Sequence, residues 1–169
     1  MNPRNAFALS TTAFLGCGIA FSGLAAAQTA KDLVGTWTLV SNDTVRPDGT
    51  KTPTFGPNPK GIIVFGGDGR FIYLFSRSDL PKFETNNRTT GTPDENKAVV
   101  AGSIATYGTY SVAGKDLKLK VEHSTFPNWA NTDQTRAITV SGDEFKWTNA
   151  AGSGGGVVEL AFKRAPAGN

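Results

Sequence analysis

Residues 117–123 read LKLKVEH, an unbroken alternation of apolar and polar side chains, and a repeat of two is that of a half-buried β-strand. Leu117, Leu119, Val121 and His123 share one face; Lys118, Lys120 and Glu122 share the other. Seven further segments have strand character. They are 33–40, with Trp37 and Leu39 on one parity, 62–65, 71–75, 107–112, 136–140, 144–148, with Phe145 and Trp147 inward, and 157–162, with Val158, Leu160 and Phe162 inward. Eight such segments, parted by Gly, Asp and Asn and without a long amphipathic helix pattern, place the chain in the all-β class.

The connections between these segments are unequal in a regular way. Those after the second, fourth and sixth strands are tight, at 66–69, 113–115 and 141–143, whereas those after the first, third, fifth and seventh are long. If the strands run up and down, every tight turn lies at one end and every long loop at the other. The architecture this predicts is an eight-stranded up-and-down antiparallel barrel, which also removes the open edges of a sheet. Within the second long loop, Thr92-Pro93-Asp94-Glu95 forms a capping box with Pro at the first helical position. Ala98, Val99, Ala101 and Ile104 follow as a short apolar stripe. One helix is therefore expected over 93–104, lying across the open end of the barrel.

The first residues stand outside this pattern. Arg4 gives a positive start, 6–27 run without a charge, and Ala25-Ala26-Ala27 offers the small-x-small site of a signal peptidase. Residues 1–27 are expected to be a signal peptide and 31–165 the barrel domain. The mature chain then starts near Gln28, or after Ala30 if a second site is used, in the periplasm or outside the cell and without a membrane span. Acylation at Cys17 competes with this reading, but Phe14-Leu15-Gly16 makes a poor lipobox and the apolar run continues past the cysteine. Cys17 is the single cysteine and His123 the single histidine. Cleavage therefore leaves neither a thiol nucleophile nor a cysteine or histidine-rich metal site, and no cofactor is implied. The net charge of +3 is spread as single cations among acids, without the basic run that nucleic acid binding calls for.

Gly35-Thr36-Trp37 resembles the Gly-x-Trp that opens the first strand of lipocalins and fatty-acid-binding proteins. There the tryptophan closes the barrel floor and an arginine of the last strand packs over it; Arg164, in AFKRA, stands where that arginine would be. YGTY at 107–110, HSTFPNW at 123–129 and Arg136 are similar to the lipocalin-like domain family of bacterial secreted proteins and of proteins encoded near biosynthetic genes. The resemblance spans nearly the whole mature chain and implies a barrel closed by Gly35, Trp37 and Arg164. Asn131 stands where a glycine is expected, a mild departure because Asn also tolerates left-handed backbone. The second and third motifs of the larger lipocalin group are absent, so the ligand of a typical lipocalin is not carried over. The family has no single agreed activity.

In this frame His123 ends its strand at the looped end with inward parity, and Arg136 opens the next strand at the same end, also inward. The two are expected to be neighbours at the mouth, under a loop carrying Phe126 and Trp129, with Tyr110 and Trp147 completing a small-molecule site. Three readings stay open. One is an exported protein binding a small hydrophobic or amphiphilic molecule, with Arg136 and His123 reading an anionic or carbonyl head. Another is a cofactor-free isomerase or cyclase in which His123 moves a proton. The last is a barrel filled by its own aromatics whose loops bind another protein.

Overall fold

The computed structural model describes residues 28–166; the expected signal peptide and Cys17 lie outside them. Its strands are β1 (Gly35–Val45), β2 (Lys51–Pro53), β3 (Lys60–Phe65), β4 (Arg70–Ser76), β5 (Ser103–Ala113), β6 (Asp116–Ser124), β7 (Thr132–Ser141), β8 (Glu144–Asn149) and β9 (Val157–Arg164). From β3 to β9 each strand pairs antiparallel with the next in sequence. β1 closes the circle by pairing with β3 through Gly35–Thr38 and with β9 through Trp37–Val45. The result is the expected eight-stranded barrel. β2 is an extra strand, hydrogen-bonded to the far end of β1 with all three side chains exposed, which is why no alternation announces it.

Inward positions follow the alternation where strands are regular. In β4, Phe71, Tyr73 and Phe75 are buried while Ile72 and Leu74 face out. The interior is filled largely by aromatic rings: Phe145 stacks on Phe162 at 5.0 Å, Tyr73 on Phe75 at 4.5 Å, and Trp147 meets both Tyr73 and Phe75 edge-on. Such offset and edge contacts add to the burial energy of the rings.

Two β-bulges interrupt the alternation. In β1, Leu39 pairs with Phe162 and Ser41 with Ala161, so Val40 is left over; in β6, Val121 pairs with Gly108 and His123 with Tyr107, so Glu122 is left over. One extra residue moves every following side chain to the other face. Beyond Val40 the buried residue is Asn42, and beyond Glu122 it is Ser124. The expected inward placement of His123 is therefore reversed: its side chain is exposed, 6.1 Å from the exposed Tyr107 ring. Gly108 makes the second bulge possible, since a Cβ there would lie 2.0 Å from the Lys120 carbonyl oxygen.

At the tight-turn end, a single helical turn, α1 (Ala30–Leu33), leads into β1. Leu33 is fully buried and its carbonyl accepts the Trp37 indole N–H at 2.7 Å. The Arg164 guanidinium lies over the Trp37 ring at 4.1 Å and donates to the carbonyls of Val34 and Asp32, both at 2.9 Å. Gly35 sits between them with φ +119, a backbone that L side chains rarely adopt.

At the other end, α2 (Pro93–Gly102) begins at the capping box the sequence indicates: Thr92 accepts the Glu95 N–H, and Glu95 accepts the Thr92 N–H at 2.7 Å. It stops short of the expected boundary, because Ile104 already belongs to β5 and is buried in the barrel. The helix lies at the looped end and packs beside β5. Ala98 and Val99 are half-buried, whereas Val100 is 79% exposed.

Candidate functional site

An interior cavity of about 50 Å³ opens at the looped end. Its walls come from the part of β1 beyond the bulge (Asn42, Thr44), from β4 (Tyr73, Phe75), from the middle of β7 (Arg136, which does not open that strand as expected, since β7 starts at Thr132) and from the end of β8 (Trp147, Asn149). Thr54, Phe55, Ile104, Trp129, Val158, Leu160 and the glycine-rich turn at 152–155 form the rest. That volume has room for a few water molecules and is far below the roughly 300–1,000 Å³ of a drug-sized ligand site.

Its chemistry is concentrated in a few polar groups. Arg136 is only 4% exposed, held inward by the regular alternation Gln134, Arg136, Ile138 along β7. Its terminal nitrogens donate to the Thr135 carbonyl at 3.0 Å and to the Gln134 side-chain oxygen, and its guanidinium lies 5.7 Å from the Trp129 ring centre. Burial pulls it below the ordinary guanidinium value, while the nearby Tyr73 acts the other way. Burial pushes the Tyr73 phenol up, opposed by Thr106 and by Arg136. Among the described residues no carboxylate pairs with Arg136. Three buried side-chain atoms among these residues have no hydrogen-bond partner, namely Arg136 Nε, Trp147 Nε1 and Asn42 Oδ1, and all three belong to residues lining this cavity. Orphaned buried polar groups are rare in folded proteins, and here three belong to residues around one space.

Arg136 is reached from a second side as well. The pairing of β7 with β8 begins at Ala137, so 132–136 run without β8 alongside them. An open groove of about 320 Å³ lies there, lined by Thr132 to Arg136, Trp129 and Asn149 to Ala151, and it shares Trp129, Arg136 and Asn149 with the interior cavity.

Of the side chains expected to form a site, Arg136, Trp129 and Trp147 come together here. His123 does not: it points outward from the far end of β6, whereas Arg136 pairs with Leu117 near its beginning. Tyr110 is buried elsewhere, against Phe65 at 4.8 Å, with its hydroxyl donating to the Gly66 carbonyl of a tight turn. Phe126 packs edge-on against Trp129 at 5.6 Å without lining the cavity. The sequence reading missed Asn42, hidden by the bulge before it, and Tyr73. The latter was legible as the one polar ring in the alternation Phe71, Tyr73, Phe75.

A family model described as a lipocalin-like domain matches residues 34–164. No curated protein matches the sequence. Among solved structures, a lipocalin-like protein from Bacteroides uniformis ATCC 8492 is similar at 14% identity and a TM-score of 0.44, covering 79% of this chain and 99% of that one. A point mutant of the fluorescent protein UnaG is similar at 10% identity and a TM-score of 0.37, covering 80% of this chain and 97% of that one.

Proposed function

This chain belongs to the lipocalin-like domain family, and from that premise we propose that it is an exported binding protein that takes a small hydrophobic or amphiphilic molecule at the mouth of its barrel. The observation that carries the reading is the set of three unpartnered polar atoms around an aromatic-walled cavity. A barrel packed only for stability would gain by pairing those atoms or replacing them with carbon, since an unmet buried donor costs about 1–3 kcal/mol. Among the cavity residues only Tyr73 and Arg136 titrate, and neither exchanges a proton near neutral pH, so the lining favours holding a molecule over moving a proton within it. Export rests on the charge and apolar pattern of 1–27. No helix of the described residues is long and apolar enough to cross a membrane.

Native mass spectrometry of protein purified from its own host is the direct test. A retained molecule of a few hundred daltons supports the reading. Protein that is bare there, and that fails to bind the neutral dye N-phenyl-1-naphthylamine, contradicts it.

A further inference from the structure

The unpartnered atoms also say what kind of head the occupant carries. Two of the three, Arg136 Nε and Trp147 Nε1, are donors and can only be met by an acceptor; the third, Asn42 Oδ1, is itself an acceptor, which a carboxylate cannot serve and which takes its donor from water or from a hydroxyl of the ligand. Arg136 brings a full positive charge into a place where its other nitrogens meet only neutral oxygens, and a buried charge without a counterion is costly. Among the described residues no Asp or Glu lines the interior cavity, and Asp133, which lines the adjoining groove, makes no ion pair with Arg136, so a ligand anion can supply the missing charge. One cation balances one anion, and a doubly charged phosphate would leave a charge unpaired. The size suits the head alone: about 50 Å³ accepts a carboxylate, and the body extends out of the cavity past the apolar edges of Phe55, Ile104, Trp129 and Val158.

We propose that the site takes a small monocarboxylate held head-first, its charged end at Arg136 and Trp147 and its apolar body toward the mouth. This rests on the binding reading above and narrows it to a ligand class. The groove beside β7, lined also by Asp133, reaches Arg136 from outside the aromatic interior.

The test is displacement of N-phenyl-1-naphthylamine at pH 7 by three probes with one skeleton: 4-phenylbutyrate, 4-phenylbutanamide and 4-phenylbutylamine. The acid is expected to bind roughly tenfold or more tighter than the amide, and the amine more weakly still, as for a charge-assisted hydrogen bond. Arg136→Met should erase the difference between acid and amide while the dye still binds. Trp147→Phe, which removes one donor and no charge, should lower the acid-to-amide ratio several-fold, and it stands as the deciding variant should Arg136→Met fail to fold. Equal binding of acid and amide by the wild type, with the dye bound, overturns the monocarboxylate assignment and leaves the binding reading standing. An unchanged ratio in the Trp147→Phe protein overturns the placement of the head. A wild type that binds neither dye nor probe removes the binding reading and this inference with it.

Discussion

Trp37 and Arg164 show how unequal two touching residues can be. Trp37 is fully buried, in contact with Phe145, and bonded through its indole N–H to Leu33. Arg164 is only partly covered; it stacks on that ring and ties two carbonyls of the segment before β1, and its ion pair at 3.4 Å is with a largely exposed Asp143. Removing the tryptophan loses a large buried volume, so Trp37→Ala should cost about 3–5 kcal/mol. Arg164→Ala should cost about 1–2 kcal/mol, from a stacking contact and two charge-assisted bonds at the rim. Urea unfolding monitored by circular dichroism separates the two; equal losses would show that Arg164 holds that end as firmly as the indole does. Asn131 is a second residue-scale finding: it adopts φ +59, the left-handed backbone that favours glycine and that Asn tolerates better than most.

Elements decide what single residues cannot. The bulge at Glu122 makes neighbours on one strand into opposites: His123 in solvent, Ser124 buried with its hydroxyl against Thr106 at 3.0 Å and accepting the Phe126 N–H at 3.1 Å. His123→Gln should therefore change stability by no more than about 0.5 kcal/mol and leave ligand affinity alone. Ser124→Ala, stripping the buried Thr106 hydroxyl and the half-buried Phe126 N–H of a partner, should cost about 1–3 kcal/mol. The reverse ranking in urea unfolding would mean that β6 runs without the bulge. Gly108→Ala tests the same element from across the ladder, since its methyl would strike the Lys120 carbonyl and should cost about 1–3 kcal/mol. The start of α2 carries the pH dependence. Glu95 accepts backbone N–H bonds from Glu84 and Thr92, and these hold its carboxyl below the usual carboxylate range. Because the folded value is depressed, the stabilisation is present above the ordinary carboxylate value and is lost as pH falls through the lower, folded one. Hydrogen exchange at the Glu84 and Thr92 amides, corrected for its intrinsic pH dependence, should lose protection over that acidic window; in Glu95→Gln the loss should vanish.

For the whole molecule, a binding barrel should be more stable when filled. A ligand at one hundred times its dissociation constant adds roughly 2.7 kcal/mol, so 4-phenylbutyrate at that excess should raise the melting temperature, and Arg136→Met should blunt the rise. Export makes a separate prediction: N-terminal sequencing of protein from the host should begin near Gln28, and a mature chain starting instead at a lipid-modified cysteine would overturn both the cleavage site and the lipid-free state.

The eight barrel strands, the turn ends and the capped helix are legible in the chain because each depends on neighbours in sequence: parity on residue i+2, a cap on residue i+3, a tight turn on its own glycine; the Gly-x-Trp floor was legible only through family resemblance. β2 is not legible, since its three exposed residues have no pattern of their own and form a strand only because β1 is there to pair with. Nor is the site. Parity can be carried along a strand only until a bulge, and a bulge is a property of two paired strands, set at β6 by how closely Gly108 lets the Lys120 carbonyl approach. Arg136 and Trp147 have an inward parity that sequence alone supplies. That they share a cavity with Asn42 and Tyr73, and not with His123, follows from barrel closure and register, which bring together residues far apart in the chain.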